Sequence, residues 1–177
     1  MNYDIAIVGA GIAGASLAAE IGTQARVLLL EAEDQPGYHA TGRSAAFWSE
    51  TYGGAAIQPL TTASGGSLRD GGYLEPLGSL HIGRDADAAA IDTFQAEFAG
   101  TPVVLDRVDP ATLVPGLRPA WRHGVMEASC AYIDVGRLHA DRLAAARRSG
   151  ATVETRAELA SAEREGGRWR IATRDGR

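Results

Sequence analysis

Apolar residues open this chain in two short unbroken runs, Ile5–Val8 and Val27–Leu30, separated by a segment in which Ala13, Ala15, Ala18 and Ala19 recur. Runs of four bounded by turn residues read as strands of a parallel sheet. The small-residue segment over 11–22 reads as a helix able to lie close to that sheet. A strand, helix and strand at this spacing predict a right-handed βαβ unit.

Past Glu31 the pattern changes. Residues 32–37 are a polar turn, and residues 41–48 start with Thr-Gly and become apolar, predicting a short helix that ends over 49–53. Residues 54–70 predict another helix, weakened at its far end by Gly65-Gly66. Then come a strand over 77–82, an amphipathic helix over 85–98 capped by Asp85, a strand over 102–106, a short helix over 109–114 and a strand over 124–131. Asp134 reads as the N-cap of a helix over Val135–Arg148, with Val135, Leu138, Leu143, Ala145 and Ala146 on one apolar arc and Gly150 just beyond. Residues 151–154, 159–163 and 169–173 read as strands, the last two joined at Gly166-Gly167, and 175–177 as the start of another turn. The fold class is α/β. Residues 1–70 and 132–177 form a nucleotide-binding domain, and 71–131 belong to an α+β domain inserted into it.

Composition narrows the function classes. A chain of 177 residues that is 45% hydrophobic can bury a sizeable core. Its formal charge of −5, with 17 Lys+Arg against 22 Asp+Glu, argues against a nucleic-acid surface. One cysteine, Cys130, excludes an internal disulfide and leaves no thiol pair for redox exchange, which fits a cytoplasmic setting. The chain reaches its first strand without a basic segment and long apolar core, so no secretory signal is expected. The apolar runs fall far short of the ~20 residues that cross a bilayer, so any membrane contact would be peripheral.

The candidate chemistry sits in the turn Gly9-Ala10-Gly11-Ile12-Ala13-Gly14. A strand feeding a helix through Gly-x-Gly-x-x-Gly aims the helix's N-terminal N–H groups at a diphosphate, where the helix dipole also favours negative charge. Gly9 permits the tight turn, Gly11 lets backbone approach the phosphates, and Gly14 lets helix and strand pack closely. Glu31, at the end of the second run and 20 residues after Gly11, can accept hydrogen bonds from an adenosine ribose. Its charge would repel a 2′-phosphate, leaving NAD or FAD. A second polar stretch follows, in which Thr41, Gly42 and Ser44 offer hydroxyls and backbone N–H groups and Arg43 a phosphate-matching fork.

These residues, with Pro36-Gly37-Tyr38-His39-Ala40-Thr41-Gly42-Arg43-Ser44-Ala45-Ala46, Tyr52-Gly53, and Ile133-Asp134 ahead of a helix, resemble the D-amino-acid oxidase-type FAD-dependent oxidoreductases. The Gly-Tyr-His-x-Thr-Gly-Arg-Ser-Ala-Ala run most resembles the D-arginine dehydrogenase branch, a D-amino-acid dehydrogenase. The resemblance implies a Rossmann-like FAD-binding domain with an inserted α+β substrate domain, both incomplete at the C-terminus. Residues 1–177 would then be an N-terminal half, lacking among other parts the arginine that clamps the substrate carboxylate. It further implies that Gly9, Ala10, Gly11 and Gly14 hold the FAD diphosphate and Glu31 the adenosine ribose. Ala40, Thr41, Gly42, Arg43, Ser44, Ala45 and Ala46 would wrap the diphosphate and the near edge of the flavin, and Leu159 would offer backbone contacts to adenine.

The chemistry so implied is hydride transfer from the α-carbon of an amino acid or amine to flavin N5, giving an imino acid that hydrolyses to a keto acid. The electron acceptor is left open among oxygen, quinone or another species. Tyr52 matches a substrate-contacting hydroxyl. Two positions depart from the branch: Phe47 replaces a histidine that could share a proton with the substrate amine, and Ser79 falls where the branch uses an acid to pair a guanidinium. His39 reads as a loop-ordering residue. His81, His123, His139 and Cys130 lack metal-ligand spacing and read as solvated or structural. The alternatives are a non-catalytic or incomplete FAD-binding fragment, and an NAD-dependent dehydrogenase.

Overall fold

The structure is a computed structural model and describes residues 2–176. In chain order its elements are β1 (Ile5–Val8), α1 (Ile12–Ile21), β2 (Val27–Leu30), β3 (Phe47–Trp48), α2 (Gln58–Asp70), β4 (Leu74–Pro76), β5 (Ser79–Arg84), α3 (Ala88–Glu97), β6 (Asp106–Val108), α4 (Pro110–Leu113), β7 (Trp121–Glu127), β8 (Ala131–Ile133), α5 (Val135–Arg148), β9 (Thr152–Glu154), β10 (Leu159–Glu165) and β11 (Arg168–Thr173). They fall into two compact units. One comprises the residues up to Ala45 and those from Val135 on, and the other is Ala46–Asp134.

In the first unit β1, β2 and β9 make a parallel sheet in that order, with Ile5 opposite Val27 and Leu28 opposite Thr152. Val27, Leu29 and Leu30 are buried, whereas β1 at the sheet edge leaves Ile5 and Val8 exposed. Burying a leucine such as Leu29 contributes roughly 1.5–3 kcal/mol, enough for four-residue strands to hold when helices cover them. Ala15 and Ala18 of α1 are fully buried, in one cluster with Ile7, Val27 and Leu29 and with Leu143 and Ala146 of α5. Methyl-sized side chains let the helix axes and the sheet approach. The β10–β11 hairpin turns at Gly166 and Gly167, both at positive φ (55° and 82°) as a type I′ turn requires.

The second unit holds two antiparallel three-stranded sheets, ordered β3-β8-β4 and β5-β7-β6. Here several expected boundaries are corrected. Residues 41–48 form no helix: turns run to residue 43, Ala46 has φ of 21°, and β3 pairs with β8 through Phe47–Tyr132 and Trp48–Ala131. Phe47 is exposed and Trp48 buried, a period of two that suits a strand. The strand expected over 77–82 begins at Ser79 and runs on to Arg84, after β4 has ended at Pro76, and the strand expected over 124–131 splits into β7 and β8; at both places the chain passes from one sheet to the other. Gly78, at φ 74°, makes one passage, and residues 128–130 make the other. The two passages meet where the Leu77 and Gly78 N–H groups share the Cys130 carbonyl at 3.1 and 2.8 Å.

The strand expected over 102–106 forms only at β6. Pro102 has no N–H to donate, and the Leu105 carbonyl accepts from Gln95 of α3 at 2.8 Å. Asp87, not Asp85, closes the turn before α3, accepting from the Arg84 N–H at 2.9 Å. The helix expected over 54–70 begins at Gln58 and runs through the paired glycines to Asp70. A Cβ on Gly65 would stand 2.6 Å from Cζ2 of Trp48, whose indole N–H donates to the Thr61 carbonyl at 2.8 Å. The helix therefore keeps a bare patch where the buried indole packs.

Candidate functional site

Gly9 leaves β1 at φ 97°, its N–H bonded to the Leu30 carbonyl at 2.7 Å. A Cβ on Gly14 would fall 1.9 Å from the Gly9 carbonyl oxygen, so only glycine lets α1 start this close to the turn. Gly11 is the N-cap of α1 and brings no side-chain cap of its own. Ala10, fully buried, donates its N–H to Glu31 Oε2 at 2.9 Å. The other oxygen of that carboxylate accepts from the Glu33 N–H at 3.1 Å, and Glu31 is 7% exposed. An ionised carboxylate offers about four lone-pair positions, of which these two bonds use half.

Residues 37–43 fold back so that Thr41 reaches the turn. Thr41 Oγ1 accepts from the Ile12 N–H at 3.0 Å, and a Cβ on Gly11 would come within 3.0 Å of that same oxygen. The segment is closed by Gly42 N–H to the Gly37 carbonyl at 2.7 Å and Arg43 N–H to the His39 carbonyl at 3.2 Å. His39 Nε2 lies 2.8 Å from Glu33 Oε1, and the Arg43 guanidinium sits 4.7 Å over the Tyr38 ring. Arg43, Ser44, Ala45 and Ala40 are exposed and Ala46 half-buried. Leu159, the first residue of β10, follows directly on a segment tied to the acid: Ala157 N–H reaches the Glu31 carbonyl at 2.8 Å and Arg156 N–H the Glu33 carbonyl at 2.9 Å.

One group escaped the sequence reading, and a second takes the structural side of it. His139, read as solvated or structural, is buried, with Nε2 2.7 Å from the Ala10 carbonyl oxygen. Its spacing of four from Leu143 and seven from Ala146 puts it on the inward face of α5, a signal the sequence carried. Glu127 in the second unit is fully buried and accepts from Ser49 Oγ at 2.8 Å, Thr51 Oγ1 at 2.7 Å and the Glu50 N–H at 2.6 Å. Glu50 in turn accepts from Thr62 Oγ1 at 2.5 Å and Ser129 Oγ at 3.1 Å. This network holds the turn that presents Tyr52, which is 72% exposed, its ring edge-on to Phe47 at 5.4 Å between centroids.

The remaining candidates occupy separate surroundings: His81 packs on Phe94, and His123 faces Asp85 at 3.2 Å. Cys130 is buried, and burial first, then the Glu127 carboxylate, push its thiol pKa up, away from the thiolate a nucleophile needs. Among the described residues no group of three His, Cys, Asp or Glu could hold a metal ion, and no helix is long and apolar enough to cross a membrane.

With this geometry in view, residues 4–177 match the DAO family, described as FAD dependent oxidoreductase. The chain belongs to that family. Its fold is that of solved relatives at low identity. An L-alpha-glycerophosphate oxidase from Mycoplasma pneumoniae, with FAD bound, superposes with a TM-score of 0.85 at 13% identity, over 99% of this chain and 50% of the oxidase. Glycine oxidase from Geobacillus kaustophilus gives 0.81 at 21%, over 98% and 52%. L-amino acid deaminase from Proteus vulgaris gives 0.80 at 15%, over 99% and 45%. The chain thus spans about half the length of the solved structures it matches. Membership of the DAO family decides the cofactor that the glycine turn left open: it is FAD, and the NAD-dependent alternative is set aside.

Proposed function

We propose that this chain serves an FAD-dependent dehydrogenase or oxidase acting on an amino acid or amine. The observation that carries the reading is the way Gly9, Ala10, Glu31 and Thr41 converge on the start of α1. A Cβ on Gly9 would meet nothing within 4 Å and Gly11 brings no side chain to α1, so backbone faces outward beside the Ala10 and Ile12 N–H groups that Glu31 and Thr41 already hold. Bare backbone at a helix N-terminus fits the FAD diphosphate, and the unused half of the Glu31 carboxylate fits a ribose diol.

In this reading Gly9, Ala10, Gly11 and Gly14 take the diphosphate, and Ala40, Thr41, Gly42, Arg43, Ser44, Ala45 and Ala46 enclose it. Leu159 offers its backbone to adenine, and Tyr52 holds the substrate by its hydroxyl. FAD, when bound, would accept a hydride from the substrate's α-carbon, leaving the neutral amine as an iminium that water hydrolyses to a carbonyl with release of ammonium. The chain's task is to align the C–H bond and keep water away, which requires no side-chain nucleophile.

The test begins with the colour of the purified intact protein. It should be yellow, and anaerobic mixing with a panel of D- and L-amino acids should bleach the flavin for at least one of them. A colourless protein that takes up no FAD would sink the cofactor assignment. A yellow one that no amine or amino acid bleaches would sink the substrate class.

A further inference from the structure

His139 is 8% exposed on a helix face otherwise made of Leu143 and Ala146. A buried imidazole on such a face costs free energy unless its nitrogens are satisfied. Its Nε2 lies 2.7 Å from the Ala10 carbonyl oxygen, and since a carbonyl only accepts, Nε2 must carry the proton. The opposite side of the ring lies against Gly37: a Cβ there would fall 2.8 Å from Cε1 and 3.0 Å from Nδ1. Gly37, at φ 82°, accepts through its carbonyl from the Gly42 N–H, so the ring packs on the loop that also carries Thr41.

The Ala10 carbonyl and the Gly11 N–H belong to one planar trans peptide and point in opposite directions. Fixing the carbonyl toward α5 therefore aims the Gly11 N–H away from it, out of the glycine turn. The preceding peptide is fixed from its other end, where the Ala10 N–H meets Glu31. Donation to the carbonyl also polarises the peptide, strengthening its N–H as a donor.

We infer that His139 is a positioning residue for FAD, orienting the Gly11 N–H toward the diphosphate and holding the loop of residues 37–42 beside the turn. This rests on the cofactor reading above. It touches no reacting atom and acts through the peptide it holds.

The test compares H139L, H139N and H139Q in the intact protein, measuring FAD affinity by quenching of flavin fluorescence and the melting temperature of the cofactor-free form. Gln carries its amide N–H near the Nε2 position and should bind FAD within about threefold of wild type. Asn carries it too short to reach Ala10. Asn and Leu should each lose about tenfold or more, the order of one lost buried hydrogen bond. If H139L does not fold, the Gln and Asn pair still decides. Equal affinity in H139Q and H139N, or affinities that merely follow melting temperature, would overturn the inference while leaving FAD binding intact. A wild-type protein that binds no FAD would overturn both.

Discussion

Thr41 caps a helix that starts well before it in the chain: its Oγ1 accepts the Ile12 N–H at 3.0 Å across 29 positions. The first N–H groups of a helix have no partner within it, and Gly11 brings no side chain to serve them. The loop that reads as a phosphate wrap is thus also the cap of α1. Loss of such a cap costs about 0.5–2 kcal/mol. T41V should therefore lower the stability of the cofactor-free protein by that order in urea unfolding, whereas T41S, which keeps the hydroxyl, should stay close to wild type. A T41V protein as stable as wild type would remove the cap from the account.

Glu31 and Arg43 should separate in their effect on the cofactor. E31A strips the Ala10 N–H of its buried acceptor, at about 1–3 kcal/mol, and removes the proposed ribose contact as well. Arg43 is exposed over Tyr38, so R43A gives up a contact of about 0.5–1 kcal/mol there and, in the proposed site, a solvent-screened contact to the diphosphate. FAD affinity measured by fluorescence titration should fall much further in E31A than in R43A. Equal affinity in the two variants would contradict the assignment of these residues.

What could be read from the sequence follows the range of the interactions. The βαβ unit, Glu31 at its end and the Gly166-Gly167 hairpin are set by neighbours within one or two elements, and periodicity and glycine spacing report them. The passages at Gly78 and Cys130 are not, because they are set by pairing with distant strands: the Leu77 and Gly78 N–H groups meet the Cys130 carbonyl more than 50 positions away. Thr41 was legible as a loop hydroxyl but not as a cap, since its partner lies on another element. Glu127 carries no local signal at all: its partners Ser49, Glu50 and Thr51 lie 76 to 78 residues away. His139 was legible as a solvated or structural group but not as the partner of Ala10, which lies 129 positions away.

Glu127 should be the most sensitive polar position of the second unit. E127A leaves the buried Glu50 N–H without an acceptor and frees two hydroxyls from theirs, so a loss of about 3 kcal/mol or more is expected. E127Q can keep its oxygen toward the Glu50 N–H and turn its amide to the hydroxyls, which accept as readily as they donate. Its loss should be well under half that of E127A. Chemical unfolding of both variants measures the difference, and similar losses would show that the charge itself is required.

At the acid end, Asp4 has its pKa lowered to about 2, first by the Arg26 side chain and then by the Arg26 N–H. A carboxylate depressed in the folded state stabilises it above its unfolded pKa of about 3.9, and that contribution disappears as pH falls toward 2. Both partners are exposed, so the effect is small and screened by salt. The drop in melting temperature between pH 5 and pH 2.5 should be smaller in D4N than in wild type at low ionic strength. An identical drop would mean that other carboxylates carry the acid response.

Cys130 sets the opposite end of the pH range. Burial and the Glu127 carboxylate raise its pKa, so on going to alkaline pH the unfolded thiol ionises, near 8.5, before the folded one does. The unfolded chain then binds fewer protons, and stability falls as pH rises from about 8.5 toward the folded pKa. C130A should flatten that part of the stability profile, whatever its cost at neutral pH. The same burial predicts that a thiol-specific disulfide reagent at pH 8 reacts with the folded protein only at the rate of unfolding, and at once in denaturant. Fast labelling of the folded protein would place the thiol outside the core and remove the expected alkaline slope with it.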